Sequence, residues 1–298
     1  MGTFVGHAVP GTFFIVFALW YIVQTFRRFL ACRPRKSEFV STHFFLCDCL
    51  CGRLKNLPLE SFVKILVSTI GCVGEIVTGY EWTGDHFGMN NAQHATMFFF
   101  FGLSGVVDVF SHYKRTLVPD LDYIVSIIAL FVEWLLFRFH LHGRSSLDSQ
   151  VHMLLVYAIF LNIVVVAAEI KYRNSVLCPL ARGYFFLLQG SWFWQIAFIL
   201  YSPLPNSHWS SEDHDQIMLS VLIFSWHCAA DLVVVLLAGM ILSVIYRKRG
   251  AGGTTWEETD ELPMKSLLQH RSNGQTVVRL GSEDDEDSDD SENISLVR

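Results

Sequence analysis

Seven windows of predominantly apolar residues, at about 8–26, 59–80, 92–110, 123–141, 151–170, 180–201 and 217–246, occupy about half of the 298-residue chain. Each is long enough to cross a hydrocarbon core of about 30 Å, for which a helix needs roughly 20 residues. Lipid offers no hydrogen bonds to the backbone, so segments of this length must satisfy their own polar groups as helices. The pattern predicts an all-α fold: an integral membrane bundle of seven transmembrane helices over residues 1–249, followed by a tail over 250–298. Charged residues make up 17% of the chain and apolar ones 52%, where a soluble domain carries about 25% charge. Nucleic-acid binders and secreted disulfide scaffolds are excluded on the same grounds, and the lipid bilayer is the first partner implied.

The connections between windows carry the orientation. Arg27, Arg28, Arg33, Arg35, Lys36, Arg53 and Lys55 fill the first, Lys114 and Arg115 the third, Lys171 and Arg173 the fifth, and Arg247, Lys248 and Arg249 follow the last window. The second and sixth connections have no Lys or Arg, and the fourth has Arg144 alone. The positive-inside rule then predicts an N-terminus outside or in the lumen and a cytosolic C-terminus. No basic flank precedes the first window and no small-residue cleavage site follows it, so it reads as a retained span.

Residues 252–298 hold 12 acidic and 4 basic side chains, so the acid of the chain is concentrated there. The run of Asp, Glu and Ser from Glu283 to Glu292 has almost nothing to bury and is predicted to be a disordered cytosolic tail. The tail and the first cytosolic loop are the surfaces through which cytosolic protein partners would act. That loop carries Cys47, Cys49 and Cys51 beside Phe44 and Phe45, a composition suited to lipidation of a segment on the inner leaflet. Plain reduced thiols are the competing reading. A zinc site is disfavoured, because Cys-x-Cys-x-Cys lacks the spacer and second ligand pair of a closed site. In the second window Gly71, Gly74, Glu75 and Thr78 share one helical face of small residues with one carboxyl, which predicts close helix packing.

Nine of the twelve histidines map to the outer side: His7, His86, His94, His140, His142, His152, His208, His214 and His227. Two acids go deeper, Glu133 and Asp231, and a charge at mid-membrane costs roughly 2.5–3.5 kcal/mol on insertion scales. His227 and Asp231 are spaced i, i+4, and Glu133 and His140 i, i+7, so each pair shares a face of its helix. If His94, His140, His142 and His152 converge with them from neighbouring helix ends, imidazoles and a carboxylate would suit a divalent metal such as Zn²⁺. A pH-responsive cluster and a plain interhelical hydrogen-bond network are the other readings of the same residues. A two-haem carrier is disfavoured, since it needs intramembrane His pairs near both leaflets and the inner half offers none.

Several stretches carry a family resemblance: Gly6-His7-Ala8-Val9-Pro10-Gly11-Thr12-Phe13-Phe14, His94 through Gly102, His140-Leu141-His142-Gly143-Arg144 on to His152, Leu187 through Phe193, and Ser225-Trp226-His227. Together they resemble the transmembrane protein 45 family over about residues 1–246. The resemblance implies a multi-pass protein of the endomembrane system, Golgi and endosome, without an established reaction. The leading expectation is therefore a non-enzymatic organising or trafficking factor with a histidine and acid cluster in the outer half of its bundle. The alternative is a lumen-facing metal-binding protein, a metal-dependent hydrolase or a cation or proton transporter. No catalytic residue is assigned, as the sequence contains no His-Glu-x-x-His or other nucleophile motif.

Overall fold

The computed structural model of the chain describes residues 3–46, 56–83, 88–114, 118–141, 143–205 and 209–250. Among these residues there are seven helices and no strand: α1 (Phe4–Cys32), α2 (Leu59–Thr83), α3 (Met89–His112), α4 (Leu121–Phe139), α5 (Ser146–Lys171), α6 (Leu177–Tyr201) and α7 (His214–Gly250). Every apolar window nucleates one of them, and most helices extend beyond their windows. Capping accounts for two of the starts: the Thr3 hydroxyl accepts from the Gly6 amide ahead of α1, and the Ser145 hydroxyl from the Asp148 amide ahead of α5.

Six of the seven helices are long and apolar enough to cross a membrane, which makes the chain a multi-pass membrane protein in contact with lipid. The exception is α4, whose 19 residues include Asp122, Glu133 and Arg138. At 1.5 Å per residue it is about 28 Å long, so charge rather than length sets it apart from the other six. The exposed faces of α2 and α7 are apolar, with Leu66, Ile70 and Val73 on one and Leu236, Met240 and Ile241 on the other. In water such faces would be a liability; in lipid they are the solvent-facing surface.

Helix neighbours run α2–α3–α4–α5–α6–α1, and the indole of Trp20 on α1 donates to Glu60 of α2 at 2.7 Å to close the ring. The α1–α6 crossing is the closest. A Cβ on Gly190 would lie 2.7 Å from the Ile15 backbone nitrogen and 2.8 Å from the Gly11 carbonyl oxygen, so only glycine fits there. Along the α2–α3 seam, a Cβ on Gly71 would meet the Phe98 ring at 2.6 Å, and one on Gly105 the Ile65 side chain at 2.9 Å. Gly74, from the predicted packing face, has open space instead of a neighbour.

The seventh helix lies outside the ring. It is fastened to α6 by polar groups, with Tyr184 donating to the Cys228 carbonyl at 3.1 Å and Ser191 to Asp231 at 2.8 Å. The packed interior falls into two layers. Phe137, Val151, Leu155, Trp192 and Ile196 fill the end where α1 begins, and Tyr21, Ile22, Tyr123, Leu130 and Val166 the end where α1 finishes. These are termed below the histidine end and the basic end.

Candidate functional site

Inside the ring runs a cavity of about 770 Å³, lined by all six ring helices. Its middle is aromatic: Phe14 stacks on Phe193 and Phe186 at ring separations of 5.7 and 5.8 Å and meets Phe101 edge-on at 5.9 Å. Polar side chains mark both ends, and Glu133 and Ser126 of α4 face the middle.

At the histidine end one chain of contacts links five of the ring helices. Asn91 donates to Glu75 at 2.8 Å, and the other oxygen of Glu75 lies 3.4 Å from His94 Nδ1. The His94 and His140 rings are 5.7 Å apart, and His140 Nδ1 meets the Gln93 carbonyl oxygen at 2.5 Å. Arg144 contacts the other ring nitrogen of His140 and grips Asp148 with bonds of 2.8 and 3.0 Å. Asp148 in turn holds His152 Nδ1 at 2.8 Å, and the His152 ring packs 5.7 Å from that of His7. His7 is oriented by its Nδ1 against the Thr3 carbonyl at 3.0 Å.

In this chain the Nδ1 atoms of His7, His94, His140 and His152 all face hydrogen-bonding partners, an arrangement that orients the imidazoles. Burial, and next the Arg144 guanidinium, push the His140 pKa down to about 3. Its ring therefore stays neutral between pH 5 and 7. The unfolded chain binds a proton near pH 6.5 that folded His140 refuses, so this residue lowers stability as pH falls below about 6.5.

The structure divides the predicted site residues. His94, Glu133, His140 and His152 line the common cavity, joined by Glu75 and Thr78 from the predicted packing face. His227 and Asp231 are elsewhere, because α7 lies outside the ring. His227 Nδ1 meets the Ser191 hydroxyl at 3.1 Å with its ring edge-on to Trp192, and Asp231 accepts from the same serine. His227 packs against Ser191, Gln195 and Trp192 of α6 and is not among the histidines that line the cavity. His142, Cys47, Cys49, Cys51 and the tail fall outside the described residues. Phe45, read from sequence as part of a leaflet-lying segment, is buried in the bundle against Tyr21.

Phe45 ends a strap that sequence reasoning missed. Residues 37–46 form a non-helical segment at the basic end that bends at His43 and Phe44, and Phe39, Ser41, His43 and Phe45 are buried at every second position. Arg182 donates to the carbonyls of Thr42 and His43, both at 2.9 Å, and the Phe45 amide donates to Glu60 at 2.9 Å. Two buried ion pairs underlie the strap. Lys64 and His43 both bond Asp108, at 2.5 and 3.0 Å, and Arg182 faces Glu169 at 3.2 Å while Tyr123 donates to the same carboxylate at 2.9 Å. His43, Asp108 and Asp122 offer three donor atoms within 4.8 Å of one another, but both oxygens of Asp108 are already engaged. A sequence signal existed for all of this: Lys64, Asp108, Glu169 and Arg182 are ionisable residues inside apolar windows, two of each sign.

Residues 119–240 match the profile of DUF716, a family of unknown function. The chain is 27% identical to transmembrane epididymal protein 1 of Rattus norvegicus over 94% of its own length and 92% of the relative's. It is 27% identical to transmembrane epididymal protein 1A of Mus musculus over 76% of each. With transmembrane epididymal protein 1 of Homo sapiens it shares 30% identity over 45% of this chain and 50% of the relative. These matches correct the resemblance to the transmembrane protein 45 family: the similarity found is to DUF716 and to transmembrane epididymal protein 1.

Proposed function

We propose that this multi-pass membrane protein is a non-enzymatic binding protein that holds one amphipathic molecule in the cavity of its helix bundle. The cavity itself carries the reading: at about 770 Å³ it lies within the range of about 300–1,000 Å³ usual for small-molecule sites. An aromatic middle suits an apolar body, and polar groups at the two ends suit a hydrogen-bonding head. The charged groups at the two ends of the cavity are held in pairs, an arrangement that fixes shape rather than activates a nucleophile.

All seven helices cross the membrane in this proposal, with the basic end in the cytosol and the histidine end facing the lumen of Golgi or endosomes. The acidic residues that follow α7 and the first cytosolic loop recruit the partners of an organising or trafficking role. An epitope placed after Arg298 should be reached only after permeabilisation, whereas one in the 202–216 connection should be reached from the opposite side. Both labels on one side would overturn the arrangement.

For the ligand, organic extraction of gently purified protein should release one amphiphile well above the bulk-lipid background. Ser126→Phe, which fills the middle of the cavity, should lose that molecule and remain monodisperse. Identical bulk-lipid profiles from both proteins would refute the binding reading. Near-stoichiometric zinc in the same preparation would replace it with the metal-binding alternative.

A further inference from the structure

The binding reading leaves the chemical class of the ligand open, and the charges that line the cavity narrow it. Arg144 at the histidine end is neutralised by Asp148, and Lys64 at the basic end by Asp108. Glu75 is met by His94 and Asn91. Glu133 has no such partner. It is 2% exposed, faces the cavity, and its Oε2 accepts no hydrogen bond among the described residues. Each of the other buried carboxyls has at least one oxygen engaged: Glu60 accepts from Trp20 and Phe45 through Oε2 while its Oε1 has no hydrogen bond, Glu169 accepts from Tyr123 through Oε1 while its Oε2 only faces Arg182, Asp108 accepts from Lys64, and Asp231 from Ser191.

A solitary carboxyl in this position is costly unless something completes it. Its surroundings favour a cation. Phe137, one turn away on the same helix face, and the rings of Phe14 and Phe193 line the same space, and aromatic faces attract ammonium groups. Glu133 lies seven residues before His140, so it sits about 10 Å below the histidine end along α4. That depth leaves room for an alkyl chain on one side and polar groups on the other.

Resting on the binding reading above, we infer that the cavity takes a lipophilic amine, a single-chain molecule whose protonated nitrogen pairs with Glu133 while its chain lies among the phenylalanines. A neutral alcohol of the same length gains the apolar contacts without the ion pair, and a fatty acid places a second negative charge beside Glu133.

The test compares dodecylamine, dodecanol and dodecanoate binding to the full-length chain in phosphatidylcholine nanodiscs at pH 7, read by tryptophan fluorescence and thermal shift. Wild type should bind the amine at least about tenfold more tightly than the alcohol, with the acid weakest. Glu133→Gln should abolish the amine preference and leave dodecanol binding unchanged. Glu133→Met should behave in the same way, and the wild-type preference reads the inference without any variant. Equal binding of amine and alcohol by wild type, or an amine preference that survives Glu133→Gln, overturns the inference and leaves the cavity reading standing. Failure of wild type to bind any of the three overturns both.

Discussion

Arg182→Met should destabilise the bundle by about 3–5 kcal/mol, the cost of removing one member of a buried ion pair and leaving the other charge unpaired. Arg182 is 1% exposed and Glu169 fully buried. The guanidinium also lies 4.9 Å from the centre of the Tyr21 ring and supplies both strap carbonyls with donors. Methionine keeps part of the volume and none of those bonds. Thermal unfolding in a mild detergent measures the loss, and a change below about 1 kcal/mol would refute the buried pair as a support of the fold. Removing both charges separates the contributions. Arg182→Met with Glu169→Leu should recover much of the stability yet leave the strap untied, so a cysteine introduced at Ser41 should label faster than in wild type.

The second large effect comes from backbone proximity. Gly190→Val should force α1 and α6 apart, because the atoms its Cβ would strike at 2.7–2.8 Å include the Ile15 nitrogen and the Gly11 carbonyl oxygen, which cannot rotate aside. Overpacking of this kind costs about 1–3 kcal/mol, occasionally more, and valine adds two methyl groups beyond that Cβ. Gly74→Ala supplies the contrast. With open space at that position, it should be neutral or stabilising by up to about 1 kcal/mol through helix propensity alone. Equal losses from the two substitutions would mean that the α1–α6 contact is not the tight one.

The helices were legible because the bilayer leaves a chain so few options: an apolar run of some twenty residues has one way to satisfy its backbone. Their arrangement around a ring was not legible. Gln93 and Arg144, which contact His140, were not read as part of the cluster, whereas the sequence places His94, His140 and His152 at helix ends joined by short connections. The same reasoning put His227 among them, since no feature of the sequence says that α7 docks on the outer side of α6. The ion pairs escaped for a related reason. Lys64 and Asp108 are 44 residues apart on different helices, and only the fold makes them neighbours. The strap could have been read from the alternation of Phe39, Ser41, His43 and Phe45, but a basic, cysteine-bearing loop invited a surface assignment.

Both buried ion pairs have one property in common: each joins helices consecutive in the chain, α2 with α3 and α5 with α6. Entering the bilayer alone, any of these helices would carry an uncompensated charge into hydrocarbon. Entering as a two-helix hairpin, each brings its counter-charge with it. Biosynthesis of this protein is therefore best described in hairpins rather than single spans. α1, the first helix made, meets its tightest partner only once α6 has been synthesised, when Gly11 can seat against Gly190.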